Sequence, residues 1–542
     1  MIKRWALLCL LAAVPAAAKP PKLTLFISVD ALGSDLFLRS RPRLKSGLAQ
    51  LASQGAFYPV ARYSYASVVT SVGHATLATG ANPWRHGIVS NRLFSRVTGK
   101  EEAALNDPNH PVLEAPLSGE DVSPENLVAE TLADRLRVAT QGQGKAIAVS
   151  VKARAAIALG GRLGRAYWFN ETVGKFVTGT WYAKELPPWL KAFNDKKVPE
   201  SYFKKEWALS APAKEYLGAD DRPFESDWFA LGRVFPHRLD GGLPGPGPQS
   251  NMALASSPFI NDVLVQLAKA ALEGEKLGAD DVPDALFVSF SGLDRIYHLY
   301  GPYSWEAQDA MIRLDRAVGE LLTAADKAAG GGANVLVVLT ADHGGAAIPE
   351  EWAAAGLPAG RVNPATLQQA LTQELRTRFN APDLVAGVEE VSVYLSAKSI
   401  AEHKLDEVAV RRAAAAALAR QPSVALAVAR DDIFGADPAG GLLATLQRGY
   451  YPERSGDVLF VMKPFQVLTD EPTGTSHGTP YAYDSEVPVV FAGKGVRPGL
   501  YRQIIDPIDI APTVASVLEM GSPALAEGAI RAEALSAGPA GK

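Results

Sequence analysis

Asp342 and His343 stand side by side in LTADHGG, where the β-branched run NVLVVLT gives out. Similar side chains close or follow other apolar runs. Asp30 ends KLTLFISVD, and Asp294 and His298 lie four apart in SGLDRIYHLYGP, directly after DALFVSF. His477 sits in the Gly/Thr-rich stretch EPTGTSHGTPYAYD, ahead of VPVVFAG. Carboxylates and imidazoles are the ligands that divalent ions of the zinc type take, and an i, i+4 pair shares one face of a helical turn. Each residue alone has an ordinary account. Asp30 could be a cap or Asx turn, Asp294 and His298 a surface pair, and His477 a solvated loop histidine. Their joint occurrence beside strand ends points to a metal centre.

Groups for nucleophilic attack and anion binding accompany these ligands. In YASVVTSVGHATLATG, Thr70 opens a short helical stretch three residues before Gly73-His74. A helix N-terminus favours an incoming phosphate through its free N–H groups and its dipole. A hydroxyl is a poor nucleophile at neutral pH, but the Lewis acidity that lowers the pKa of zinc-bound water to about 7 can activate it. Thr70 also suits a plain N-cap. Asn91, in HGIVSN, has a turn asparagine as its ordinary account. Lys152 and Arg154, in SVKARAAI, project to one side if the backbone stays extended, or form a solvated charge pair.

Six short apolar runs supply the strands that must position these groups: 22–31, 145–151, 284–292, 334–342, 456–463 and 487–493. Several precede helical periodicity, clearest in SWEAQDAMIRLDRAVGELLTAADKAAGGG, with Ser304 as N-cap and glycines as a stop. This alternation predicts an α/β fold with a mostly parallel sheet, whose ligands sit at the carboxyl ends of the strands. Residues of about 156–250 and about 350–450 break the alternation and read as insertions. The aromatics of the first, Trp168, Phe169, Trp181 and Tyr182, either wall the leaving-group side of a site or form a small core.

The order D, T, D-x-x-x-H, D-H-G, H-G-T resembles the alkaline phosphatase superfamily, in its type I phosphodiesterase/nucleotide pyrophosphatase branch. It is most similar to the phosphate-irrepressible (PafA-type) alkaline phosphatases. The resemblance covers essentially the whole mature chain. It implies an alkaline-phosphatase-like, mostly parallel central sheet flanked by helices, in a single catalytic domain over 19–542 with the two insertions. It further implies two Zn2+ ions, one held by Asp294, His298 and His477 and the other by Asp30, Asp342, His343 and the nucleophile Thr70. Asn91, Lys152 and Arg154 would contact the phosphoryl oxygens. Where the family usually has T-G-P-G-H, this chain has T-S-V-G-H, so Thr70 shares the nucleophile position with Ser71 and Ser67 as alternatives.

The activity expected from this resemblance is that of a zinc-dependent alkaline phosphatase hydrolysing small-molecule phosphate monoesters through a phosphothreonine intermediate. The alternative is a nucleotide pyrophosphatase/phosphodiesterase on the same scaffold. A sulfatase is disfavoured, because the only cysteine is Cys9. Residues 1–18 carry Lys3 and Arg4, an apolar run and small residues ending at Ala18, the layout of a secretory signal peptide, so a secreted, periplasmic location is expected. The apolar run is too short to span a bilayer. Cleavage leaves 52 cationic against 58 anionic residues, a formal charge of −6 that disfavours binding of nucleic acid polymers.

Overall fold

A computed structural model of the protein describes residues 19–115, 121–435 and 440–536. The expected signal peptide at 1–18 lies outside the described residues.

The main sheet has nine strands, numbered here in chain order: β1 (Leu23–Val29), β2 (Ala56–Arg62), β3 (Ala146–Ser150), β4 (Arg165–Asn170), β5 (Lys175–Val177), β6 (Asp284–Phe290), β7 (Val335–Thr340), β8 (Glu486–Gly493) and β9 (Gly499–Leu500). Their spatial order is β9-β2-β8-β7-β1-β6-β3-β4-β5. The five central strands β7, β1, β6, β3 and β4 are parallel; β8 and β5 run antiparallel to their neighbours. Every residue of β1, β6 and β7 is buried, which is why these segments read as unbroken apolar runs instead of alternating ones.

Four helices bear on the site: α1 (Thr70–Thr79), α2 (Ala153–Gly160), α3 (Gly292–Tyr300) and α4 (Trp305–Ala328). Ser304 caps α4 as its sequence suggests, its side chain accepting from the Ala307 N–H at 3.0 Å.

The stretch 156–250 contributes β4 and β5 to the sheet edge before it leaves the sheet. Trp168, Phe169 and Tyr182 are buried in the main core, and Trp181 packs against the ring of His110. All four thus pack in or against the main core, the second of the two sequence readings. The run at 456–463 does form a strand, Val458–Met462, but outside the main sheet. It joins Val385–Glu389, Ser392–Leu395 and Val424–Ala429 in a separate antiparallel four-stranded sheet. Two helices, Pro364–Phe379 and Glu407–Ala419, share a small core of their own with this sheet.

Register does the positioning. Val29 of β1 pairs with Phe290 of β6, Ser28 with Thr340 of β7, and Ser289 of β6 with Ser150 of β3. Four adjacent carboxyl ends are therefore level, spaced by the ~4.8 Å between neighbouring strands. Asp342, Asp30, Asp294 and Lys152 follow them on one rim. The start of α1 packs tightly onto this rim, and a Cβ at Gly73 would come within 2.2 Å of the Asp342 carbonyl oxygen. An unhindered helical Gly→Ala gains roughly 1 kcal/mol. Gly73→Ala is expected to have the opposite sign, costing about 1–3 kcal/mol by overpacking against backbone. Equilibrium unfolding in denaturant checks this, and a stabilised variant would contradict the close approach.

Candidate active site and metal centre

The carboxylates and imidazoles singled out in the sequence converge at the carboxyl ends of β1, β6 and β7. Asp294 and His298 lie on one face of α3, with His298 Nε2 3.4 Å from Asp294 Oδ1. His477 Nε2 reaches the same oxygen at 3.5 Å. The ligand atoms of these three residues lie within 4.8 Å of one another, and so do those of Asp30, Asp294 and His343. Asp294 thus belongs to both groups. Asp342 stands beside the second one, its Oδ2 3.4 Å from His343 Nε2 and 3.1 Å from His74 Nδ1. The rings of His343 and His477 stack with centroids 3.7 Å apart.

Each imidazole is oriented by backbone. Nδ1 of His298, His343 and His477 faces the carbonyl oxygen of Thr475, Gly344 and Val68 at 2.9, 2.8 and 3.2 Å respectively. Donation of Nδ1–H to these carbonyls leaves every Nε2 turned inward, the arrangement by which outer partners fix the tautomer of a ligating histidine. The glycines after His343 have a steric reason. Gly344 and Gly345 donate to the Asp484 and Tyr483 carbonyls, and a Cβ at Gly344 would meet the Tyr483 oxygen at 2.4 Å.

Electrostatics match a site built for cations. Burial opposes ionisation of Asp294, but Lys152, His298 and His477 hold its carboxyl well below the usual range. At Asp342 burial is likewise outweighed, by His343, His74 and Lys152. Burial pushes the His343 imidazole down, and Asp342 with Asp30 more than reverses this, lifting it to about 9. His477, enclosed and next to His343, is driven well below the ordinary histidine value. Four buried oxygens, Oδ1 and Oδ2 of Asp30, Oδ1 of Asp294 and Oδ2 of Asp342, have no well-aligned hydrogen-bond donor and face only the nearby cationic or imidazole nitrogens. Lys152 Nζ lies 2.6 Å from Asp30 Oδ2 and 2.5 Å from Asp294 Oδ2. An ammonium and the imidazole proton of His343 thus stand where metal cations would neutralise the same oxygens. The donor set, carboxylate oxygens and inward imidazole nitrogens, fits divalent ions of the zinc type.

Thr70 is the first residue of α1, preceded by Val69 at the cap position. Its hydroxyl is not a helix cap. Oγ1 lies 3.3 Å from Lys152 Nζ and 3.5 Å from His343 Nε2. Of the alternative hydroxyls, Ser67 donates to Glu390 at 2.7 Å, and the Ser71 backbone N–H donates to Asn91 Oδ1 at 2.9 Å. Lys152 retains extended backbone, but Arg154 falls in the first turn of α2, so the chain does not stay extended through both. They nevertheless line one cavity of about 400 Å³, together with Asp294, His298, Trp228 and Phe229. Arg154 Nε is buried without a hydrogen-bond partner. A second cavity of about 590 Å³ meets the site at Asn91, Arg154, His298 and His477.

Three supporting residues escaped the sequence reading. His74, four residues after Thr70, places Nδ1 2.9 Å from the Thr70 carbonyl and Nε2 2.9 Å from Ser289 Oγ while flanking Asp342. Asp484, pushed up to about 7 by burial, accepts from the N–H groups of Gly478 and Thr479 and so holds the H-G-T loop. Glu390, also pushed up to about 7 by burial, accepts from the Asn91 N–H at 3.0 Å. The i, i+4 spacing of Thr70 and His74 was a usable signal. Glu390 and Asp484 act across long sequence separations and left none.

The chain is similar to known proteins over most of its length. Residues 24–482 match the family described as type I phosphodiesterase / nucleotide pyrophosphatase. Alkaline phosphatase PafA of Elizabethkingia meningoseptica is 31% identical over 515 residues, 94% of each chain. A Myroides odoratus protein named calcium-transporting ATPase is 31% identical over 512 residues, 93% of this chain and 92% of its own. Among the described residues, no helix is long and apolar enough to cross a membrane. A crystal structure of wild-type PafA has a TM-score of 0.88 at 30% identity, covering 96% of this chain and 100% of that one. The sequence match and the shared architecture both run over most of the chain, which belongs to the type I phosphodiesterase/nucleotide pyrophosphatase family of the alkaline phosphatase superfamily.

Proposed function

We propose that this protein is a zinc-dependent alkaline phosphatase that hydrolyses small phosphate monoesters through a phosphothreonine intermediate. The observation that carries the reading is the Thr70 hydroxyl, lying between Lys152 and His343 at the edge of the two ligand groups. Phosphatase relatives over nearly the full length support the hydrolase class.

Asp294, His298 and His477 would hold one Zn2+, and Asp30, Asp342 and His343, with Thr70, the other. Bound there, zinc supplies Lewis acidity to the attacking and departing oxygens and positive charge beside the transferred group. The protein's own groups do the rest. Thr70 Oγ1 gives up its proton and forms a bond to phosphorus while the ester P–O bond opposite it breaks, and the departing oxygen takes up a proton, so that no net proton is gained or lost. Water then adds to phosphorus, the Thr70 P–O bond breaks, the hydroxyl recovers its proton and phosphate leaves. Asn91 Oδ1 accepts from the Ser71 N–H, which frees its Nδ2 to donate to a phosphoryl oxygen. Lys152 and Arg154 add two cations. A monoester carries close to two negative charges on three non-bridging oxygens and a diester only one charge, so this pair favours the monoester.

We further read the chain as one catalytic domain with insertions at about 156–250 and 350–450, and residues 1–18 as an export signal that directs it to the periplasm.

Three outcomes are expected. Thr70→Ala loses monoester hydrolysis; retained activity would remove the covalent step. The intact enzyme, carrying about two zinc ions per chain by elemental analysis, prefers an aryl phosphate to its methyl diester. Changing Lys152 or Arg154 to Ala costs the monoester on the order of 10²–10³ in kcat/KM and the diester much less, whereas a better diester rate in the intact enzyme would favour the phosphodiesterase alternative. Finally, Lys152→Met tightens zinc binding in chelator competition, because the incoming ion no longer displaces an ammonium from Asp30 and Asp294; unchanged affinity would contradict that competition.

A further inference from the structure

The inserted four-stranded sheet sends one hairpin toward the nucleophile. Its strands Val385–Glu389 and Ser392–Leu395 are joined by the two residues Glu390 and Val391. Glu390 holds a left-handed φ of +47°, a conformation that disfavours a non-glycine residue by about 1 kcal/mol or more. At this tip the partly buried carboxylate lines the larger cavity beside Asn91 and Arg154. One oxygen, Oε2, accepts from Ser67 Oγ at 2.7 Å, three residues before Thr70. The other, Oε1, accepts from the Asn91 backbone N–H at 3.0 Å. Asn91 Oδ1 in turn accepts from Ser71 N–H, one residue after Thr70. One carboxylate therefore ties together both sides of the nucleophile loop and the amide that faces it.

The hairpin is anchored where it must be to hold that position. The strand pair Arg92–Phe94 and Glu101–Ala103, which begins immediately after Asn91, packs on it through the rings of Phe94 and Tyr394. Arg96 reaches Asp457 at 3.1 Å at the edge of the same inserted sheet. A carboxylate beside a phosphate pocket repels phosphate, so charge alone gives no reason to place one there.

We propose that Glu390 is a positioning residue: the inserted sheet delivers its carboxylate to fix Asn91 and the Ser67–Ser71 loop in the geometry that receives the phosphoryl group. This rests on the phosphatase reading of the site. Glu390 hydrogen-bonds to Ser67 and Asn91, not to Thr70, and acts through those two residues.

The test uses the full-length, zinc-loaded enzyme, with inorganic phosphate binding measured by calorimetry and kcat/KM measured on an aryl phosphate. Glu390→Ala is expected to weaken phosphate binding and lower kcat/KM by roughly 10- to 100-fold, the scale on which small misplacements act. Glu390→Gln keeps an acceptor for Asn91 and stays within a few-fold of the parent. Ser67→Ala, which removes one of the two bonds, falls between them. In an Asn91→Ala background, Glu390→Ala adds little, as expected for residues acting as one unit. Equal or tighter phosphate binding by both Glu390 variants would overturn the proposal, since that is the signature of removed charge repulsion. Full additivity with Asn91→Ala would overturn it as well. If the parent enzyme binds phosphate but does not hydrolyse the ester, the functional reading fails while the positioning of Asn91 is still read from the binding data.

Discussion

The site depends on the level register of four parallel strands. Because β7, β1, β6 and β3 end together, residues more than 300 positions apart arrive on one rim without any loop having to span the distance. A single-residue slip of β1 against β6 would carry Asp30 about 3.3 Å away from Asp294 and break the second ligand group. Burial of both faces makes such a slip expensive, since no residue of these strands can exchange an apolar environment for water without loss. The rigidity of the candidate site is thus a property of the core and not of the loops that follow the strands.

The cost of the arrangement is electrostatic. Asp30, Asp294 and Asp342 are all buried on one rim, and at Asp294 and Asp342 withdrawal from water alone would favour protonation. Lys152, His74 and His343 reverse that preference at Asp294 or Asp342. The backbone contributes too. Ala31, directly after Asp30, adopts φ +65° and donates its N–H to Asp342 Oδ1 at 3.3 Å. Unfavourable backbone at this point fits the pattern of local strain gathered at a working site and offset by the surrounding core.

The convergence of these side chains was legible in the sequence because they sit at strand ends, and strand ends are marked by the change from apolar runs to D, D-H and D-x-x-x-H. The α3 face shared by Asp294 and His298, and the helix opened by Thr70, follow from local spacing for the same reason. What was not legible depends on the partner chosen across the fold. The run at 456–463 has a composition that suits the main sheet, yet it pairs with the strands at 392–395 and 424–429. Trp168 and Phe169 could be read from sequence as a wall or as a core, and it is the pairing of their strand in the main sheet that puts them in the core. Glu390 is one of two adjacent glutamates in VEEVSVY, and nothing local separates it from Glu389. Only the hairpin turn that aims it at Asn91 does so.

The Lys152 ammonium, held between Asp30 and Asp294, has a consequence for how the chain closes its core. Uncompensated carboxylates in a dry interior oppose chain collapse, because a charge withdrawn from water without a partner is costly. Here the compensating cation is covalently present from synthesis onward. Closure of the core over Asp30 and Asp294 therefore draws its counter-charge from the chain itself, whatever the concentration of any soluble ion.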